Sequence, residues 1–489
     1  MIAKRLEEIC TKLSRASLSK IDEENEILSF CDEVLNDKIV ASPVIDNHDD
    51  LILFVDHVGN LLTKSLYLVE LEPLTIGDAE SGEYTFARLP LIHYRLEKLC
   101  AMTSKVLSGL PESSKSYTSL VLKKCGSTIA KTYYIYGDEK VKWSTKKCSE
   151  SVQKLLHSFL CIADYKSLKE CLNDIPVSCS LHQQLLKQFL PYMTRERWQL
   201  YPAICHAFKK FLLCIDGDAL CEILPMILPT ILLFTDDYQP FNALNGLNLL
   251  HLVLSNVPAA EIRMCGWAEV IHDAISKKLY MREPEIVDHT LLCLLLSLKV
   301  LERNPAKPDQ CHKITQYDKI FQTIISCINT CTDPKLQRVF WKHMSSYSNV
   351  LGITVAKHFR DLIPAIEYQL DTQDEKLLVL IFQTIQTLVQ VAWMRMGRHS
   401  PPLLKQLIKS MIRLNNTKQN TRSCLQELSE TIVLLSTCDN GVCLETLSQL
   451  KASPELEKHY TLITDLLDAA SVSQKANFKA NKCTANIEK

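Results

Sequence analysis

The sequence comes nearest to a metal site at Cys311-His312, followed by Cys327 and Cys331. On a helix, the C-x3-C spacing would present two sulfurs to one face, as tetrahedral zinc requires. No C-x-x-C knuckle occurs anywhere, however, and cysteine commonly serves as a small buried hydrophobe, so neither a metal nor another cofactor is expected. Gly77 and Gly82 have the spacing of a phosphate loop, but Glu83-Tyr84 stand where lysine and a hydroxyl residue must meet phosphate and magnesium. There is no G-x-S-x-G elbow and no H-E-x-x-H pair. His251, within Leu249-Leu250-His251-Leu252, has no assignable nucleophile or orienting carboxylate. These absences point away from an enzyme.

Three further clusters suit binding better than reaction. Lys131 to Lys147 mixes Lys131, Lys140, Lys142, Lys146 and Lys147 with Tyr133, Tyr134, Tyr136 and Trp143, a mixture that could pair phosphates and stack bases. Asp138 and Glu139 interrupt it, and a connector anchored by its aromatics is the simpler reading. Cys438 and Cys443 flank an Asn440-Gly441 corner and read as core on either side of a turn. In Asp236-Asp237-Tyr238, a carboxylate ahead of a helix can cap free N–H groups. The spare carboxylate and Tyr238 then remain for a partner, because aromatic residues are enriched at interfaces.

Composition narrows the setting of these clusters. Glycine supplies only 12 of 489 residues, against a usual value of about 7%, which argues against phosphate cradles and tightly turned barrels. Lys+Arg 55 against Asp+Glu 56 leaves a net charge of -1, so the chain lacks the basic field of a general nucleic-acid binder. The 20 cysteines are scattered, and Met1 leads into Lys4-Arg5-Leu6-Glu7-Glu8 without a signal-peptide pattern. Reduced thiols in an intracellular protein are expected. The longest apolar run, Ile223 to Phe234, holds Pro225 and Pro229 and falls short of the about 20 residues a bilayer span takes. A soluble chain with no membrane role is expected.

The elements that must position these residues read as helices throughout. From about Leu89 onward, apolar residues recur at helical spacing and no strand-like alternation persists. Leu377, Leu380, Ile381, Thr384, Ile385, Leu388, Val391 and Ala392 form one stripe, with Gln373, Lys376, Gln383 and Gln390 opposite. Glu285 to Arg303 is leucine-rich around most of its circumference, which predicts a helix covered on several sides. Stops fall at Asp216-Gly217, Thr235-Asp236-Asp237, Asn256-Val257-Pro258, Glu283-Pro284, Pro305 to Pro308 and Asp333-Pro334. Pairs of the intervening segments approach the HEAT/armadillo period of about 40 to 47 residues. The expected fold is therefore all-α, an α-solenoid of HEAT/armadillo-like helix pairs, although an irregular helical bundle has similar turn spacing.

Residues 1–110 are expected to form a less regular helical region, with helices at Ile2 to Leu13, Glu24 to Leu35 and Asp50 to Leu66 and an acidic loop near 70–83. The solenoid should occupy 111–470, and 471–489 should form a disordered polar tail.

Within this frame a family resemblance emerges. Its residues are Thr235-Asp236-Asp237-Tyr238-Gln239, Gly246-Leu247, His251, Asn256-Val257-Pro258-Ala259-Ala260, Ile275-Ser276, Leu279-Tyr280 and Leu291-Leu292-Cys293-Leu294-Leu295. In that order they resemble the central block of the Tel Two-interacting protein two family, the smallest subunit of the Triple T complex. Weaker similarity extends back through Trp198 and Pro202-Ala203-Ile204 to Trp143-Ser144-Thr145, and forward through Leu351-Gly352-Ile353, Lys357-His358 and Trp393.

The resemblance implies a non-enzymatic solenoid, cytoplasmic and nuclear, that binds a Tel Two-type subunit and the large Tti One-type solenoid subunit. It also implies that the trimer acts as a cochaperone with heat-shock protein ninety for phosphatidylinositol-3-kinase-related kinases. DNA-damage and nutrient signalling would depend on it. The block's polar and aromatic markers, Asp236, Asp237, Tyr238, His251, Asn256 and Tyr280, are the candidate partner contacts. A general HEAT-repeat adaptor, such as a nuclear transport or assembly scaffold, is the alternative.

Overall fold

A computed structural model describes residues 20–36, 55–62, 71, 73, 86, 88–108, 119–174, 180–307, 313–416, 422–439, 441–452, 460–461 and 463–472. The expected helix at Ile2 to Leu13 lies outside the described residues, as do the acidic loop apart from Leu71 and Pro73, Cys311, His312, Asn440 and the tail beyond Val472. Among the described residues every regular element is helical and no strand occurs. The expected stops at Asp216-Gly217, Thr235-Asp236-Asp237, Asn256-Val257-Pro258, Glu283-Pro284 and Asp333-Pro334 coincide with helix boundaries; Pro305 follows the end of a helix at Leu301, and Pro308 lies outside the described residues. Asp333 is the N-cap of the helix that starts at Pro334, and Pro284 takes the first helical position of the next-but-one helix upstream, where its missing N–H costs nothing.

Contacts group the chain into two units, Met1–Phe234 with Asn256–Pro258, and Thr235–Ser255 with Ala259–Lys489. In the first, α1 (Lys20–Asn36) packs on α2 (Leu89–Ser108), and a π-helical turn (Leu122–Gly126) leads into α3 (Ser127–Tyr136). Next come α4 (Lys146–Ala163), α5 (Leu168–Asn173), α6 (Leu181–Phe189), α7 (Pro202–Leu213) and α8 (Gly217–Asp236). Helix α4 lies against both α2 and α3, and α3 also meets α6 and α7. The aromatic core between these helices includes Tyr134, Phe189, Phe208 and Phe211.

The second unit is layered. It contains α9 (Pro240–Asn256), α10 (Ala259–Met264), α11 (Trp267–Lys277), α12 (Pro284–Leu301), α13 (Gln316–Thr330), α14 (Pro334–Leu351), α15 (Phe359–Gln369), α16 (Glu375–Met396), α17 (Ser400–Asn416), α18 (Arg422–Ser436) and α19 (Val442–Lys451). Helices α12, α14, α16 and α18 stack in succession, and α13, α15 and α17 form a second layer. Each of α11, α13, α15 and α17 also packs on the helix that follows it. This is the two-layer stacking of HEAT-like pairs, repeating roughly every 40 to 50 residues.

Apolar pattern explains who sits inside. Leucine-rich α12 meets α10, α11 and α14, which is why so much of its circumference is apolar. On α16, Leu377, Ile381, Ile385 and Leu388 are buried while Lys376, Gln383 and Gln390 are exposed. Phe382 and Val389 are buried as well, because α14 and α18 cover two sides of the helix. Polar ties cross the stack: Tyr347 Oη donates to the Leu291 carbonyl (2.9 Å), and Asp288 receives Lys342 Nζ (2.8 Å) and His343 Nε2 (2.6 Å). Burial pushes the Asp288 carboxyl up, but these two neighbours outweigh it and hold the group below its usual range. Burial drives the His343 imidazole down more than Asp288 raises it, so a neutral ring donates its Nε2–H.

Two helices, Gly217–Asp236 and Glu375–Met396, are long and apolar enough to cross a membrane by length and composition, each with mean hydropathy 1.7. This corrects the sequence reading that the stretch holding Pro225 and Pro229 is too short for a span, since the helix runs on through both prolines from Gly217 to Asp236. Both prolines are exposed, four residues apart on one face of α8, where water can serve the carbonyls that lose their helical donors. Half of the apolar stretch of α8 and 56% of that of α16 are buried within the protein, as in core helices of a stacked array.

Candidate functional site

The six candidate contacts do not gather at one point. Tyr238 and Tyr280 are exposed, as are Asp236, His251 and Asn256. Asp237 is only 7% exposed; its Oδ1 accepts from Tyr238 N (3.0 Å) and its Oδ2 from Asn242 Nδ2 (2.6 Å). Its carboxylate therefore braces the turn into α9, close to the capping role read from the sequence. Lys278, buried in the 3₁₀ turn Lys278–Tyr280, faces the same turn: burial lowers its ammonium pKa while Asp236 and Asp237 pull the other way. The acidic turn and the turn bearing Tyr280 are thus neighbours. Asn256 ends α9, about 25 Å along the helix axis from that turn.

Tyr280 borders an open groove of roughly 810 Å³, whose floor is one face of α13. A capping box starts α13: Thr315 Oγ1 accepts from Asp318 N (3.2 Å), and Asp318 Oδ2 accepts from Thr315 N (2.8 Å). Ile320, Phe321, Ile324, Ile325 and Ile328 face the core, which turns Lys319, Gln322, Thr323, Ser326, Cys327 and Thr330 toward the groove. Ile314, just before the cap, is 80% exposed on its border, and Tyr280 is 72% exposed.

The 3₁₀ segment Gly352–His358 supplies Lys357 and His358. It begins at a backbone conformation, φ 55 and ψ -137, that is essentially reserved for glycine.

The polar groups of this groove are committed to holding it together. His358 Nε2 meets Asp318 Oδ1 (2.9 Å) and its Nδ1 meets Gln322 Oε1 (3.2 Å). Burial raises the Asp318 carboxyl, but Thr315, His358 and Lys357 overcome it and hold the group below the usual carboxylate range. Burial pushes the Cys327 thiol up, so it is a poor nucleophile. An imidazole tied at both nitrogens and a thiol that burial keeps protonated, both lining the groove, are arranged for shape rather than proton transfer.

Of the four candidate metal ligands, Cys327 and Cys331 are partly buried, and Cys331 Sγ donates to the Asp333 carbonyl (3.6 Å). Among the described residues no group of three or more histidine, cysteine, aspartate or glutamate side chains is placed to hold a metal ion.

The basic, aromatic segment in the first unit is a packed connector. Lys131 is 3% exposed with its Nζ 4.9 Å from the Tyr192 ring centre, and Trp143 Nε1 donates to the Ile135 carbonyl (2.9 Å). Tyr134 and Tyr136 are buried too, so three of the four aromatics are unable to stack on bases. At the Cys438–Cys443 corner, Asp439 Oδ2 accepts from Cys443 N (2.8 Å) and starts α19.

Sequence reasoning singled out Tyr280 but not Ile314, Lys319 and Gln322, which line the same groove. The Thr315-Gln316-Tyr317-Asp318 cap marks the helix that carries them, whereas their common groove depends on how three separated segments pack.

Comparison with known proteins finds relatives of the sequence. A profile described as the Tti2 family matches residues 129–373. TELO2-interacting protein 2 of Homo sapiens is 30% identical over 329 residues, covering 65% of this chain and 64% of that protein. The Mus musculus protein of the same name is 29% identical, covering 54% of each. The chain thus spans less than two thirds of the length of these curated relatives. Among solved structures, importin beta aligns with a TM-score of 0.45 at 10% identity, covering 96% of this chain and 60% of that one. Kap121p aligns at 0.46 and 13%, covering 93% and 41%. Scores this low carry no argument about function.

Proposed function

The chain belongs to the Tti2 family, and from that premise we propose that it is a non-enzymatic scaffold subunit that binds a Tel Two-type subunit and a large Tti One-type solenoid subunit. In this reading the three form the Triple T complex, which acts with heat-shock protein ninety to assemble and stabilise phosphatidylinositol-3-kinase-related kinases in cytoplasm and nucleus. The observation that carries the reading is the family match over residues 129–373, joined to relatives named TELO2-interacting protein 2. The stacked helix pairs of the second unit and its open, unreactive groove support a binding role over a catalytic one.

Native purification of the tagged chain followed by crosslinking mass spectrometry tests this directly. Stoichiometric recovery of the Tel Two-type and large solenoid subunits, with crosslinks to residues 235–360, is the expected outcome. Recovery of transport cargo in their place would establish a general adaptor, and turnover of a small molecule by the pure chain would end the scaffold reading.

A further inference from the structure

We propose that the groove along α13 docks an acidic amphipathic segment of a partner polypeptide, with its apolar residues against Tyr280 and Ile314 and its carboxylates toward Lys319 and Lys357. The proposal rests on the scaffold reading above and adds the chemistry of the bound segment. Tyr280 and Ile314 are among the most exposed large apolar side chains of the second unit, and both border the same trough. Apolar side chains held open beside one another offer the anchoring area that helix-in-groove recognition uses.

The floor favours a side-chain surface over a small polar ligand. The hydroxyls of Thr323, Ser326 and Thr330 donate to carbonyls four residues back in α13, at Lys319 (3.0 Å), Gln322 (2.9 Å) and Ser326 (3.0 Å). Their protons are spent, so the floor offers carbon and few free donors. The trough is also open rather than enclosed, unlike a pocket that buries most of a small molecule.

Charge selects the sign of the partner. Among the described residues, the Lys319 side chain makes no ion pair. Lys357 Nζ donates to the Lys313 carbonyl (2.8 Å) and lies 3.6 Å from Asp318 Oδ2. The carboxylate that lines the groove, Asp318, is buried, with its oxygens taken by Thr315, His358 and Lys357. Asp361 accepts from Gln322 Nε2 (2.9 Å) and does not line the trough. Lys357 is thus paired with Asp318 while Lys319 is not, so the lining carries two ammonium groups against one buried carboxylate, and a cationic segment brought against it is penalised.

The test is an array of peptides tiling the Tel Two-type and large solenoid subunits, probed with the purified full-length chain. Retained peptides should carry Asp or Glu beside apolar residues at helical spacing. Lys319→Glu should weaken them about tenfold, and peptides with the facing Glu changed to Lys should regain binding to that variant alone. Tyr280→Ala should weaken the same peptides without any charge rescue. Lys319 and Tyr280 are exposed, so an unchanged melting temperature verifies that both variants fold.

Retention of basic or neutral peptides, or affinity indifferent to Lys319→Glu, overturns the proposal. A blank array while the intact subunits still co-purify overturns the groove and leaves the scaffold function standing. If the intact subunits fail to co-purify as well, both fall.

Discussion

His206 sits on α7 against Trp143, with ring centres 5.7 Å apart, and its buried Nε2 has no hydrogen-bond partner among the described residues. Burial, with Lys210 nearby, pushes its imidazole down to about 4. The unfolded chain therefore binds a proton there more readily than the folded one as pH falls below about 6.5. Stability is full above that value, declines between about 6.5 and 4, and loses roughly 2 kcal/mol after allowance for the solvent reaching a partly exposed ring. Urea titrations at pH 7 and pH 4.5 should show this loss, and His206→Leu should make the slope shallower while leaving the part carried by other buried histidines such as His343; an unchanged pH slope in the variant would assign the acid sensitivity elsewhere. Residue types alone misjudge such positions. Lys131 looks like a phosphate contact until its ammonium is found over the Tyr192 ring, and Asp237 looks half available until Asn242 and the Tyr238 amide occupy it.

Among the elements, α9 is seated by one missing side chain. A Cβ on Gly246 would lie 2.3 Å from Thr235 N and 2.6 Å from Thr235 Cα, which are backbone atoms that cannot rotate away. Gly246→Ala should cost about 1 to 3 kcal/mol by forcing the two segments apart, although alanine favours a helix more than glycine does. Gly246→Leu should cost more, and a melting temperature at or above wild type for either variant would contradict the close packing. Helix ends were legible in advance because capping is local: Pro284, Asp333-Pro334 and Asn256-Val257-Pro258 act within a turn of themselves. The continuity of α8 through Pro225 and Pro229 was not, since it depends on which face of the helix meets water.

For the molecule as a whole, stacking leaves exposed apolar side chains such as Tyr238, Phe241, Met264, Tyr280 and Ile314 on the second unit. Obligate interfaces bury about 2,000 to 5,000 Å² and stabilise both partners by mass action. If the large solenoid subunit proposed above covers these side chains, co-expression with it should raise the melting temperature and soluble yield of this chain, as read by differential scanning fluorimetry. Equal values with and without the partner would reject mutual burial as the source of its stability.

What the amino-acid order settles by itself is the helical class, the helix ends and the inner face of each helix. These follow from apolar periodicity, caps and prolines, which act over a few residues. It also carries the family pattern, which lies in residue identity and order. The tertiary structure alone decides the groove, because Tyr280, Ile314 with Lys319, and Lys357 with His358 come from three segments joined only by packing. It likewise decides which charges stay available. A carboxylate is free or spent according to the neighbours that folding brings within about 3 Å, and linear spacing does not encode them.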